Sequence, residues 1–418
     1  MFTFLHAADI HLDSPLTGLS QHDEAPTETI RVATRAALTR LVDVALEEKV
    51  DFVLIAGDLY DGDWKDFGTG ISFNKEMRRL ESQQILVYLI YGNHDAASRV
   101  TKSLTLPENV HVFPTKQPAT FNHPTLPVSL HGQGFATQSV TENLAENYPV
   151  PTENHYNIGL LHTNLGDREG HGNYAPSSLS QLVAHGYHYW ALGHIHIREI
   201  HHKNPHVVYS GNTQGRHVKE TGPKGCYLVT VDDDLENTKC KFVALDSVRW
   251  ENLQVSCDGI VFEHELLQQI RVQLIESLSE ADGRLLAARI TLTGHTKLHE
   301  LLHAERSRLR AECQSIGLEI DPELIWLEDL RLKTHTLINP EELAKQDDLT
   351  AFVLDALKAF DPNTLPAPVE TLMRKIPAEA TNALQASLKP QTEQEREAMR
   401  DEISAIVLQA IATSDSVE

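Results

Sequence analysis

Residues 85–98, ILVYLIYGNHDAAS, run seven apolar or aromatic residues straight into Gly-Asn-His-Asp. A short apolar run bounded by turn residues has the pattern of a buried strand. This one stops on Gly92 and then presents an amide, an imidazole and a carboxylate in succession, at Asn93, His94 and Asp95. Such an end is either a satisfied turn or a reactive edge, and the chain's other strand ends bear on which.

Five further runs have the same texture: FTFLHAAD (2–9), DFVLIAGD (51–58), NIGLLH (157–162), YHYWALGH (187–194) and HVVYSGN (206–212). Between the first two, Leu38, Leu41, Val42, Ala45 and Leu46 recur at helical spacing. Ile71, Met77 and Leu80 mark a weaker helix before the third strand. This alternation is that of an α/β protein. Nearly every run ends in Asp, His or Asn, and α/β sheets bind ligands at the carboxyl ends of their strands.

After Trp250 the texture changes. ENLQVSC, a helix carrying Leu267, Ile270, Leu274 and Leu278, LLAARITLT, a helix carrying Leu298, Leu301, Leu302 and Leu309, and LIWLEDLRL give the order βαβαβ. The expected organisation is a domain over 1–250, a small α+β module over 251–335 and a helical region over 336–418. In the last, Leu349, Phe352, Val353, Ala356, Leu357 and Phe360 form one apolar stripe, and Met399, Ile403, Ile406, Val407, Ala410 and Ile411 another. Either the preceding domain or a partner chain must cover such stripes.

The 418 residues include 36 basic and 59 acidic side chains, a formal charge of −23, which is the wrong overall sign for steering toward a polyanion. Screening over roughly 8 Å at physiological salt still lets a local cationic site act. No stretch approaches the roughly 20 unbroken apolar residues of a membrane span. The opening MFTFLHAADIH reads as a core strand, not as a secretion signal, so no membrane association and a cytoplasmic location are expected. The four cysteines are too few and too scattered for a disulfide framework and read as reduced packing residues.

Five elements with metal-ligand chemistry stand at strand ends: Asp9-Ile10-His11, Gly57-Asp58, Gly92-Asn93-His94-Asp95, His162, and Gly193-His194-Ile195-His196. Along an extended chain, Asp-x-His and His-x-His place two side chains on one side, so each pair can close on one ion. The glycines permit positive φ and close backbone approach. Oxygen and imidazole donors without thiolate suit Mn, Fe or Zn in a reactive centre better than a structural zinc.

The ordered set D-x-H, G-D, G-N-H-[DE], H, G-H-x-H resembles the signature of the calcineurin-like metallophosphoesterases over residues 1 to about 230. HAADIHLD, AGDLYD, GNHD and WALGHIH are most similar to the bacterial DNA-repair exonuclease branch of SbcD- and YhaO-type proteins. The resemblance implies an α/β sandwich of two mixed sheets flanked by helices, with the α+β module as a capping domain. It also implies two divalent metal ions, Mn first with Fe or Zn as alternatives. Asp9, His11 and His196 would hold the first, Asn93, His162 and His194 the second, and Asp58 would bridge them. His94 would contact the scissile phosphate and protonate the leaving oxygen, with Asp95 orienting it. At Asp61, archaeal and eukaryotic relatives carry a DNA-positioning histidine, which leaves nuclease polarity open.

The basic residues Arg99 and Lys102, after the GNHD turn, and Arg216, His217 and Lys219, after VVYSGNTQG, are candidate phosphate-backbone contacts. His201, His202 and His206 read as an exposed loop. The implied activity is metal-dependent hydrolysis of DNA phosphodiester bonds, as exonuclease and in part endonuclease, in DNA repair. The implied partners are DNA and an SMC/Rad50-like coiled-coil ATPase docked on residues 336–418, with homodimerisation as a further expectation. A small-molecule phosphodiesterase or phosphatase of the same fold, favoured by the acidic charge, and a metal-containing scaffold subunit are the alternatives.

Overall fold

The computed structural model describes residues 1–14, 26–61, 67–97, 105–166, 172 and 174–336. Arg99, Lys102 and both C-terminal stripes lie outside the described residues.

All six apolar runs are strands. In chain order the elements are β1 (Phe2–Ala7), α1 (Thr27–Glu47), β2 (Phe52–Ala56), α2 (Phe67–Glu81), β3 (Leu86–Ile90), α3 (Asn93–Ala97), β4 (Val110–Val112), β5 (Ala119–Asn122) and β6 (Val128–Gly132). They continue as β7 (Tyr156–His162), α4 (Leu179–Ala184), β8 (Tyr189–Gly193), β9 (Glu199–Lys203), β10 (His206–Tyr209), β11 (Gly225–Val231) and β12 (Thr238–Ala244). The segment carrying His201, His202 and His206 is not the loop expected: it is the β9–β10 hairpin, antiparallel and paired through β10 to β8.

Two mixed six-stranded sheets result, ordered β12-β11-β1-β2-β3-β4 and β5-β6-β7-β8-β10-β9. Strands β1 to β4 are mutually parallel, as are β6, β7, β8 and β10. The alternation of strand side chains explains the layering. Phe2, Phe4, Phe52, Leu54, Tyr88 and Ile90 pack with Leu130, Ile158, Leu160, Tyr189 and Ala191 between the sheets. Their neighbours Leu5, Ala7, Val53, Ile55, Val87 and Leu89 face Leu38, Leu41, Val42, Phe73 and Met77 of α1 and α2. On the far side of the second sheet, Leu161, Trp190, Leu192 and Tyr209 pack with Leu182 of α4. The strands are largely apolar on both faces because both faces are covered, so polar residues gather at the strand ends and the few inside strands, such as His6, are hydrogen-bonded.

The remaining elements are β13 (Val248–Ser256), α5 (Glu263–Ala281), β14 (Leu285–Thr296), α6 (His299–Ala304), α7 (Arg306–Ile320) and β15 (Ile325–Thr336), with the strands forming a third sheet in the order β13-β14-β15. Compactness divides the chain into two units. One comprises 1–252, 276–288 and 321–328; the other comprises 253–275, 289–320 and the chain from Asp329. The four cysteines are free thiols.

Candidate metal centre

The carboxyl ends of the parallel strands carry the polar cluster. Asp9 and His11 follow β1, Asp58 follows β2, Asn93 and His94 follow β3, His162 ends β7, and His194 and His196 follow β8. Backbone rungs join the first two loops: Asp9 N–H donates to Gly57 O (3.0 Å) and His11 N–H to Asp58 O (3.0 Å). The backbone is not extended, as the Asp-x-His argument assumed. Asp9 (φ 51°), His11 (47°), Asp58 (51°) and His194 (99°) all lie in the left-handed region. Each such residue costs on the order of 1–3 kcal/mol and persists where its surroundings over-determine it. Convergence therefore comes from strained loops locked rung to rung.

The three glycines divide their labour. Gly57 does adopt positive φ (95°). Gly92 and Gly193 provide room: a Cβ on Gly92 would fall inside contact distance of Asp58 Oδ1, and one on Gly193 inside that of the Ala56 carbonyl.

Asp9, His11 and His196 bring their ligand atoms within 4.8 Å of one another, as do Asp9, Asp58 and His162, and His11, Asp58 and His94. Asp58 Oδ2 lies 3.4 Å from His162 Nε2 and 3.8 Å from His11 Nε2, between the two groups. Asn93 Oδ1 lies 2.9 Å from His162 Nε2. His194 packs beside His162, ring centroids 5.2 Å apart, with Nε2 3.0 Å from the Gly172 carbonyl. Three histidines thus have one nitrogen committed to an acceptor: His162 Nδ1 to Ala56 O (3.0 Å), His194 Nε2 to Gly172 O, and His196 Nδ1 to Glu220 Oε1 (2.6 Å). Holding one N–H this way fixes the tautomer and leaves the other nitrogen basic, as in metal-ligating histidines.

The donor set fits a divalent cation. His11 Nε2 and His196 Nε2 face each other at 3.2 Å, and His11 Nδ1 is buried without a hydrogen-bond partner. Burial holds the His11 imidazole down to about 3, with the Arg216 charge in the same direction. At His162, burial is outweighed by the charge and hydrogen bond of Asp58 and the charge of Asp9, which push the ring up to about 9. Burial would raise Asp58, but His162, then His11 and His94, hold its carboxyl well below the usual range. Buried carboxylates drawing positive charge onto a neighbouring imidazole mark a place where a cation satisfies lone pairs that cannot satisfy one another.

His94 stands at the mouth, its side chain 35% exposed, with Nδ1 2.7 Å from Asp61 Oδ1. Asp95, expected to orient it, is instead a structural carboxylate. It is buried and accepts the backbone N–H groups of Tyr60 (2.8 Å), Gly92 (3.0 Å) and Leu59 (3.1 Å), tying the β2 and β3 ends together. Asp61 also accepts from Ser14 Oγ and, at 3.3 Å, from Arg216. Arg216, expected to contact substrate, reaches the site but is 16% exposed and ion-paired to Asp61 and Glu220. His217 is over half exposed, its Nε2 3.8 Å from Glu220 Oε1. Glu220 itself was not legible as a site residue, because nothing in QGRHVKE marks a carboxylate that folds back onto the G-H-x-H motif.

Residues 2–198 match the family described as Calcineurin-like phosphoesterase, and residues 250–335 that described as Metallophosphoesterase YhaO, middle domain. The chain is 34% identical over 376 residues to the "Uncharacterized metallophosphoesterase YhaO" of Bacillus subtilis (strain 168), covering 89% of this chain and 90% of that protein. It is 25% identical over 211 residues to the "DNA double-strand break repair protein Mre11" of Sulfurisphaera tokodaii, covering 47% of this chain and 49% of that one. Among solved structures, a dimetal phosphatase from Danio rerio aligns with TM-score 0.35 and 14% identity, covering 58% of this chain and 96% of the other.

Proposed function

This chain belongs to the calcineurin-like metallophosphoesterase family, and from that premise we propose that it hydrolyses DNA phosphodiester bonds with two divalent cations, Mn foremost. The observation that carries the reading is Asp58, whose carboxylate lies between His11 and His162 where two ligand groups meet. Asp9, His11 and His196 would hold one cation and Asn93, His162 and His194 the other, with Asp58 shared. Such a pair supplies Lewis acidity toward phosphate oxygens and a nucleophile at neutral pH. His94 supplies the proton for the leaving oxygen. Burial would lower its ring, but the hydrogen bond to Asp61 and the charges of Asp58 and Asp61 outweigh burial and raise it. Asp61 in turn accepts from Arg216 and Ser14. Asp95 keeps the two strand-end loops in register, and its own carboxyl is pushed up to about 7 by burial and by the Asp58 charge.

Similarity to the Sulfurisphaera tokodaii DNA double-strand break repair protein supports DNA as the substrate class, and the formal charge of −23 favours the second reading, a small-molecule phosphodiesterase. An end-labelled time course on single-stranded and duplex DNA with Mn, Mg or EDTA, beside a chromogenic phosphodiester, separates them. Mn-dependent DNA cleavage that EDTA and Asp58→Ala both abolish is expected. Turnover of the chromogenic ester with intact DNA would establish the second reading instead. We extend the proposal to an SMC/Rad50-like ATPase partner docked on residues 336–418 and to a cytoplasmic setting; no described helix is long and apolar enough to cross a membrane. Co-purification of an ATPase should survive Asp58→Ala and vanish on truncation after residue 335; retention by the truncated chain would remove the docking region.

A further inference from the structure

We propose that Glu220 is the positioning residue that makes His196 a metal ligand, and that Arg216 ties it to the His94 apparatus. The carboxylate is buried, and both of its oxygens are used. Oε1 accepts from His196 Nδ1 at 2.6 Å and from Arg216 at 3.3 Å. Oε2 accepts the Arg216 backbone N–H at 2.7 Å and Asn212 Nδ2 at 3.0 Å. A carboxylate fixed by three other donors has little freedom to follow its fourth, so the imidazole must take the orientation the carboxylate dictates. That orientation places the proton on Nδ1 and turns Nε2 toward His11 Nε2, 3.2 Å away. Lys224 Nζ holds the other end of the same residue, donating to the His196 carbonyl at 3.0 Å.

The Arg216 guanidinium spans Glu220 and Asp61. Glu220 meets the Nδ1 of His196 and Asp61 meets the Nδ1 of His94, so one cation anchors the two carboxylates that orient the first-metal ligand and the proton donor. The segment after β10, from Asn212 to Lys224, thereby acts as a brace for a site whose ligands all come from other loops.

The inference rests on the metal reading of the site and is independent of DNA as substrate. Its test is Mn titration of the full chain by calorimetry, with electron paramagnetic resonance to distinguish coupled from isolated Mn. In Glu220→Ala one of the two Mn equivalents should weaken about 10- to 100-fold, the cost typical of removing a carboxylate from a ligating histidine. The coupled signal should give way to that of isolated Mn at limiting metal, with the other equivalent keeping its affinity even though the donors left unpaired lower the metal-free Tm. Two equivalents of unchanged affinity would overturn the proposal, as would equal weakening of both sites. Glu220→Gln, of similar volume and still an acceptor, carries the same test if the alanine variant does not fold: a smaller loss confined to the same equivalent is expected, and none overturns it. A wild-type chain that takes up no Mn would defeat the metal reading itself.

Discussion

At His94 the chemistry depends on a carboxylate from another strand end. Asp61, 2.7 Å from Nδ1, keeps the ring in the state that can give up a proton. General acid catalysis contributes most where the leaving group is a poor one. His94→Asn should therefore slow cleavage of DNA, which leaves as an alkoxide, by about 10²- to 10⁴-fold. Hydrolysis of a nitrophenyl phosphodiester, whose leaving group needs no proton, should fall far less. Equal losses on both substrates would assign His94 to phosphate binding alone. The histidine was legible in GNHD, but its partner was not. The family resemblance implied Asp95, yet Asn93 opens α3, and consecutive residues of a helical turn do not face one another. Asp95 turns inward to three backbone N–H groups while His94 turns out to Asp61.

Between elements, two devices hold the strand ends in register. The first is the missing side chain at Gly92, next to Asp58 and His162. Gly92→Ala should weaken both metal equivalents, because the displaced Asp58 serves both groups; a Mn titration identical to wild type would show that the loops absorb a methyl. The second is His6, fully buried in β1, with Nδ1 2.9 Å from Tyr189 Oη and Nε2 3.3 Å from the Leu192 carbonyl of β8. It joins the two sheets as a neutral ring, Nδ1 accepting a hydrogen bond from the Tyr189 hydroxyl and Nε2 donating to the Leu192 carbonyl. Burial lowers it to about 3, against an ordinary 6.5. The unfolded chain binds this proton more tightly, so its contribution is complete above about pH 6.5 and declines as pH falls toward 3. Between pH 7 and pH 5 the loss from this one group is about 2 kcal/mol. Urea unfolding at the two pH values should show His6→Gln with that much less pH dependence than wild type; identical slopes would mean the ring titrates freely. Such inter-sheet contacts were invisible in the sequence, and six strands, β4, β5, β6, β9, β11 and β12, went unread. Four of these are the sheet edges, and β5 and β12 alternate exposed with half-buried residues instead of showing a buried run, whereas β6 and β11 are interior strands that end in none of the metal-ligand elements.

Over the whole molecule, the surplus of 23 negative charges sets the terms on which a polyanion can approach. Counterion release from a basic surface drives most nonspecific DNA binding, and this composition offers little of it. Fluorescence anisotropy in EDTA at physiological salt should show no DNA binding, and Mn should restore it; equal affinity with and without Mn would reveal a cationic face independent of the centre. The six runs and their polar ends made the fold class and the ligand positions legible, because a strand buried on both faces concentrates its polar groups where it stops. Compactness assigns 276–288 and 321–328 to the first unit. The carboxylate of Asp9 accepts the N–H of His194, 185 residues along the chain. Closing so long a loop is slow and entropically costly, and the ligands from β7 and β8 can meet those from β1 and β2 only after both sheets have formed. A cation therefore arrives too late to template the chain: it should slow unfolding while leaving the refolding rate unchanged, which stopped-flow measurements with and without Mn would register.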